Sequence, residues 1–209
     1  MGQLMTALLV VATVQTVASP REIVQAAIRR VVTAVQQPRS DGPGAVRGTR
    51  AGTDGEHAEL RRIAGGLFDF DEMAHRSLSR HWSTLTRDQQ VEFVQLFTVL
   101  LERTYLSRVQ SFAHEQIVYV GEEIDGSFAL VKSRVLTARS GETALDYRLR
   151  LKDGQWKIYD VLVDGVSFVS TYRSEFKRVI QSASYAGLLQ RLREKVSFPP
   201  ATTLRPPGN

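Results

Sequence analysis

The chain has 209 residues, 43% of them hydrophobic and 23% charged, which suits one folded domain with tails and excludes wholesale disorder. It has no cysteine, so disulfides, thiolate metal sites and thiol catalysis are excluded. The formal net charge of +5 suits nucleic acid, anionic lipid headgroups or an acidic protein, and equally a surface of solvated arginines.

The first twenty residues carry no charge. Leu4 to Val14 is an apolar run of signal-peptide length, followed by small residues at Thr16 and Ala18. Thr13, Gln15, Thr16 and Ser19 interrupt it too soon for a spanning helix, so residues 1–18 read as a signal peptide and the mature chain is expected in the periplasm. Arg21 to Gln37 places Ile23, Ala26, Ala27, Val31 and Val35 at helical spacing. Pro38 to Glu56 is rich in Gly, Pro and Arg and reads as a mobile loop.

Leu60 to Arg80 reads as short helices around Phe68-Asp69-Phe70. Thr86 and Gln89 form a capping box. The long helix it opens carries Phe93, Leu96, Phe97, Leu100, Leu101 and Tyr105 on one face and runs to about Phe112. Four β-rich runs follow, at Ile117–Val120, Ser127–Thr137, Thr143–Lys152 and Gln155–Val163, separated by the turn signals Asp125-Gly126, Ser140-Gly141 and Asp153-Gly154. Leu145, Tyr147, Leu149 and Leu151 alternate with Asp146, Arg148 and Arg150, giving one apolar and one polar face. Asp164-Gly165 closes the last strand. Ser167 caps a final helix bearing Phe168, Tyr172, Phe176, Val179 and Ile180, and the proline-rich residues 199–209 read as a disordered tail.

This order predicts an α+β fold in which helices pack on a curved antiparallel sheet of about four strands. No phosphate loop, metal-ligand pair or nucleophile elbow appears, so no catalytic residue, metal or cofactor is assigned. The apolar faces exceed what one sheet face and three helices need to cover each other, which favours an apolar pocket. Its expected lining is Phe97, Leu101 and Tyr105 from the long helix, Val131, Val135, Tyr147, Leu149, Val161 and Val163 from the strands, and Phe168 and Tyr172 from the last helix. Each of these is equally suited to a closed core. Arg148, Arg150 and Arg173 are candidates for phosphate at the pocket mouth, with solvation the plainer reading. Asp160 lies inside an apolar strand, where a carboxylate needs hydrogen-bond partners.

Three segments together resemble the MlaC (toluene-tolerance) family: FDFDEMAHRSLSRHW at Phe68–Trp82, TRDQQVEFVQLFTVLLERTY at Thr86–Tyr105, and LDYRLRLKDGQWKIYDVLVDGVSFVSTYRSEF at Leu145–Phe176. The likeness runs from about Leu60 to Lys195 and departs at Pro38–Glu56 and at His81. It implies a single periplasmic domain over residues 19–198 that holds phospholipid acyl chains between sheet and helices. The implied partners are an inner-membrane ABC transporter with an MCE-domain subunit and an outer-membrane lipoprotein complex. The competing expectation is a small-molecule enzyme or ligand-binding module of the cone-shaped, nuclear-transport-factor-like kind, with Asp160, His81 or His114 as general base. Nucleic acid is not an expected partner, because acidic residues intersperse the basic ones and no ladder of exposed aromatics is predicted.

Overall fold

The computed structural model describes residues 18–36, 50–112, 114–137 and 141–197. Residues 1–17 of the expected signal peptide, 38–49 of the expected loop and the 199–209 tail lie outside them. No helix among the described residues is long and apolar enough to cross a membrane.

Helix α1 spans Pro20–Gln36 and buries Pro20, Val24 and Ala27. Helix α2 spans Arg50–Leu67, which corrects the loop expected through Glu56. The glycines there each cost about 1 kcal/mol of helix propensity. Burial of Leu60 and Ile63, three residues apart on one face, offsets that cost. Helix α3 spans Phe70–Leu78, with the Asp69 carboxylate accepting from the Glu72 N–H as its N-cap. A short 3-10 helix, Ser79–Thr84, leads into α4, Arg87–Phe112. The predicted capping box is in place: the Thr86 N–H donates to Gln89 Oε1 at 2.9 Å, and the Gln89 N–H donates to Thr86 Oγ1 at 3.3 Å.

The sheet is an antiparallel meander in the order β1-β2-β3-β4-β5. Its strands are Gln116–Asp125, Phe128–Thr137, Gly141–Lys152, Gln155–Val163 and Val166–Ser167. Two differences from the sequence reading stand out. Strand β1 continues beyond Val120 through a bulge between Tyr119 and Gly121, where the polar Gly121-Glu122-Glu123 hides the strand pattern. A two-residue β5 also pairs with Leu162 and Val163. Asp153-Gly154 and Asp164-Gly165 both take positive φ, as a turn matched to the strand twist requires. Ser167 caps α5 (Phe168–Ser197) as expected, its Oγ accepting from the Ser170 N–H at 3.0 Å. Helix α5 breaks at Ser184, where φ is 65° and ψ 173°. Lys195 then reaches back to Glu175, and Arg193 pairs with Glu92 on α4.

The core divides into two clusters. A helical cluster joins Met73, Leu78, Phe93, Phe97, Leu100, Leu101, Tyr172, Phe176 and Leu188 from α3, α4 and α5. A sheet cluster joins Val24 of α1 to Ala129, Val131, Tyr147, Leu149, Trp156, Ile158 and Val161. Phe68 packs against both, and its flank pairs with the edge of β4 through a parallel bridge to Ile158.

Candidate functional site

The residues expected to line a pocket divide between these clusters. Phe97, Leu101 and Tyr172 are buried in the helical cluster, and Tyr105 packs on it half-buried. Val131, Tyr147, Leu149 and Val161 are buried in the sheet cluster, and Phe168 packs on it. Val135 is buried further along β2 and Val163 is half-buried at the end of β4. Tyr105 and Phe168 stack across the two clusters, with ring centroids 4.5 Å apart. The sequence reading missed Val24, Trp156 and Ile158. The two β4 residues have a specific cause. The register shifts between Arg148 and Leu149, so Ile158 pairs with Leu149 and Asp160 with Arg148. Tyr159 is the extra residue, and Trp156, Ile158 and Val161 therefore share one face, which a strict alternation cannot give.

Hydroxyl groups punctuate this apolar interior. Ser133 lies beside the Tyr147 hydroxyl and donates to the Leu145 carbonyl. The Tyr105 and Tyr172 hydroxyls lie close enough to influence each other, with Thr104 beside Tyr172 donating to the Leu100 carbonyl at 2.7 Å. Burial pushes the Tyr105, Tyr147 and Tyr172 hydroxyls up from their ordinary pKa, and Tyr119 up to about 12. All four stay neutral near pH 7. They can hydrogen-bond, but they cannot serve as bases. The buried Tyr119 hydroxyl has no partner among the described residues.

The polar face of β3 holds the fold together. Arg148 pairs with Asp160 at 3.3 Å. Asp160 also accepts from Ser167 Oγ at 2.6 Å and from the Val169 N–H at 3.1 Å, which fixes the start of α5. Arg150 pairs with Asp69 at 2.6 Å and with Glu72 at 3.1 Å, and Lys152 reaches Asp69 at 3.2 Å. Burial works to raise the Asp69 pKa. Hydrogen bonds from Arg150, the Glu72 N–H and Lys152 outweigh it and hold the carboxyl below its ordinary value. Two of the arginines suggested for phosphate, Arg148 and Arg150, are thus occupied by carboxylates. Arg173 is exposed on α5. Neither His81 nor His114 is among the partners of Asp160, and His114 is exposed. Among the described residues no group of three or more His, Asp and Glu could hold a metal ion.

Hollows open at the surface among the described residues. One of about 290 Å³ lies by Phe68, Asp69, Phe70, Lys152 and Gln155. Another of about 490 Å³ lies between α1 and α2, by Ala26, Arg29, Arg30, Thr33, Ala34 and Glu59. None of the expected lining residues borders either one; all but Val135 and Val163 sit in one or other of the apolar clusters.

Comparison with known proteins agrees with this layout. The phospholipid-binding protein of Ralstonia solanacearum, solved in complex with a phospholipid, superposes with a TM-score of 0.71 at 24% identity, covering 86% of this chain and 98% of that one. The intermembrane phospholipid transport system binding protein MlaC of Haemophilus influenzae is 21% identical over 127 residues. That alignment spans 58% of this chain and 59% of the relative's length. The family model described as MlaC protein matches residues 25–194, a stretch that runs from within α1 through most of α5, and the chain belongs to the MlaC family.

Proposed function

We propose that this chain is a periplasmic phospholipid carrier that shelters acyl chains between its sheet cluster and its helical cluster and performs no covalent chemistry. The observation that carries this reading is the fold it shares, over 86% of the chain, with a protein solved holding a phospholipid. The chemistry of the interior agrees. Its walls are apolar, its hydroxyls are neutral, and the buried Asp160 is spent on Ser167, Val169 and Arg148.

Each methylene sheltered from water is worth about 0.8 kcal/mol. Two long acyl chains carry on the order of 30 methylenes, so bare transit through water costs about 25 kcal/mol. A carrier has only to match the shelter of the bilayer, and lipid then enters and leaves without chemical work by the protein. In this reading the carrier passes lipid between an inner-membrane ABC transporter with an MCE-domain subunit and an outer-membrane lipoprotein complex.

Organic extraction of the protein purified from the cell envelope, followed by mass spectrometry, tests the reading. Phospholipid at a near-constant ratio to protein is expected. A folded protein that yields no phospholipid refutes it.

A further inference from the structure

The two edges of the sheet are finished differently. At the β4 edge the chain covers its own open side. Strand β5 pairs with Leu162 and Val163, and Phe68 bridges to Ile158, where the Asp69 N–H donates to the Ile158 carbonyl at 2.8 Å. The other edge is β1, 10 residues long and paired with β2 alone. Among the described residues nothing outside β2 hydrogen-bonds to its main chain. Such an edge is a row of N–H and C=O groups ready to take another strand.

Side chains are ordered along this edge. Gln116 to Val120 carries no charge, and Val118 and Val120 are 38% and 54% exposed. Glu122, Glu123 and Asp125 follow, and no cation lies between Glu115 and Asp125. Val118, Glu123 and Asp125 pair with Arg134, Leu130 and Phe128, which alternate along β2 with the buried Ala129, Val131, Ser133 and Val135. They therefore lie on the face opposite the sheet cluster. Val120, two residues beyond Val118 at the bulge, is exposed with them. Along that face the edge is apolar at Val118 and Val120 and acidic at Glu123 and Asp125. Lys132 of β2 reaches Glu123, whereas Asp125 has no ion pair among the described residues.

A second copy of this chain complements that order poorly. Full antiparallel overlap of two β1 strands sets Glu123 beside Val118, and parallel overlap sets Glu123 beside Glu123. A strand with cations at one end and apolar residues at the other complements it throughout.

We propose that the β1 edge is a docking site for an extended segment of another protein. The segment adds to the sheet as a further antiparallel strand, with basic residues facing Asp125 and Glu123 and apolar ones facing Val120 and Val118. Main-chain hydrogen bonds hold it, and charge selects it. The bulge and the carboxylates, which keep indiscriminate strands away, admit a basic one. The site needs only the sheet and stands apart from the carrier reading.

The probe is the peptide Lys-Thr-Lys-Thr-Val-Thr-Val-Thr with a C-terminal fluorescein, titrated with the full chain and followed by anisotropy. Its counterpart has glutamate at both lysine positions. The lysine peptide is expected to bind about tenfold more tightly or better, and to weaken as salt rises. On binding, amide exchange read by mass spectrometry should slow over Gln116–Asp125 and stay unchanged over Gln155–Val163. Val120→Lys places a cation on the open edge and is expected to weaken the lysine peptide by about tenfold. Should that variant fold poorly, Glu123→Gln serves: affinity should fall about threefold, with a shallower salt dependence. Failure of the lysine peptide to bind, equal binding of both peptides, or protection outside β1 overturns the proposal. So does dimerisation of the wild-type chain that itself protects Gln116–Asp125, because the edge then belongs to a second copy.

Discussion

The two faces of β3 differ in what they do. One face presents Leu145, Tyr147 and Leu149 to the sheet cluster. The other presents Arg148 and Arg150, each reaching a buried carboxylate where a helix begins: Asp160 at the start of α5 and Asp69 at the start of α3. One strand thus builds the apolar wall with alternate residues and fastens two helices with the residues between. The two fastenings also differ. Asp69 is held mainly by charge, from Arg150 and Lys152. Asp160 is held mainly by neutral donors, the Ser167 hydroxyl and the Val169 N–H, with Arg148 at 3.3 Å. Cations spaced along a strand need not face a ligand; their register with acidic helix starts decides.

Substitutions on the two faces sharpen the contrast. The largest effect is expected from Leu149→Arg, which puts a charge among fully buried residues of the sheet cluster. An unpaired buried charge costs about 3–5 kcal/mol, read as a lowered urea midpoint, and the fraction that folds should carry no phospholipid.

Asp69→Asn is expected to cost about 2–3 kcal/mol, because it keeps a capping oxygen but removes the buried charge that Arg150 and Lys152 share, leaving Arg150 with Glu72 and Lys152 with Asp71. This variant also tests the acid response. The folded Asp69 pKa lies below its unfolded value, so its contribution is present above the ordinary carboxylate range and is lost as pH falls through that range toward the folded value. Unfolding midpoints collected from neutral to acid pH should therefore fall less steeply in Asp69→Asn than in wild type. An unchanged slope would assign the acid sensitivity elsewhere.

A smaller loss, about 1 kcal/mol, is expected from Asp160→Asn: its amide oxygen, in place of Oδ1, can still accept from the Val169 N–H, and its NH2, in place of Oδ2, can donate to the Ser167 hydroxyl. Vesicle-to-vesicle lipid transfer should persist. Folded, lipid-loaded Asp160→Asn that transfers nothing would contradict a passive carrier. The smallest change is expected from Arg148→Ala, whose side chain is 44% exposed: a few tenths of a kcal/mol, with the lipid content unchanged. Loss of lipid here alone would return Arg148 to the ligand.

The α+β order, the capping box at Thr86 and Gln89, the Ser167 cap and the inward face of β3 were readable because each depends on local chemistry: turn residues, caps and alternation. Three things were not. Helix α2 from Arg50 is stabilised by burying Leu60 and Ile63 in the tertiary fold, while its glycines argue locally for a loop. The bulge at Tyr159 resets the parity of β4, so Val161 was readable as inward while Trp156 and Ile158 were not. The partners of Arg148 and Arg150 depend on where α3 and α5 start in space, which strand periodicity does not encode. Of the eleven expected wall residues, Val135 and Val163 fall in neither apolar cluster, and the other nine are shared between the two. Their division into a sheet half and a helical half, touching at Phe68 and at Tyr105–Phe168, is a feature of packing alone.

Native mass spectrometry of the wild-type chain from the cell envelope asks most directly whether this fold carries lipid. The carrier reading predicts a folded species heavier than the polypeptide by the mass of a phospholipid, which is shed as neutral or anionic lipid on collisional activation. It predicts no such species for Leu149→Arg and an undiminished one for Arg148→Ala. A folded wild-type chain found only at its polypeptide mass, both when purified and after incubation with phospholipid vesicles, would contradict it.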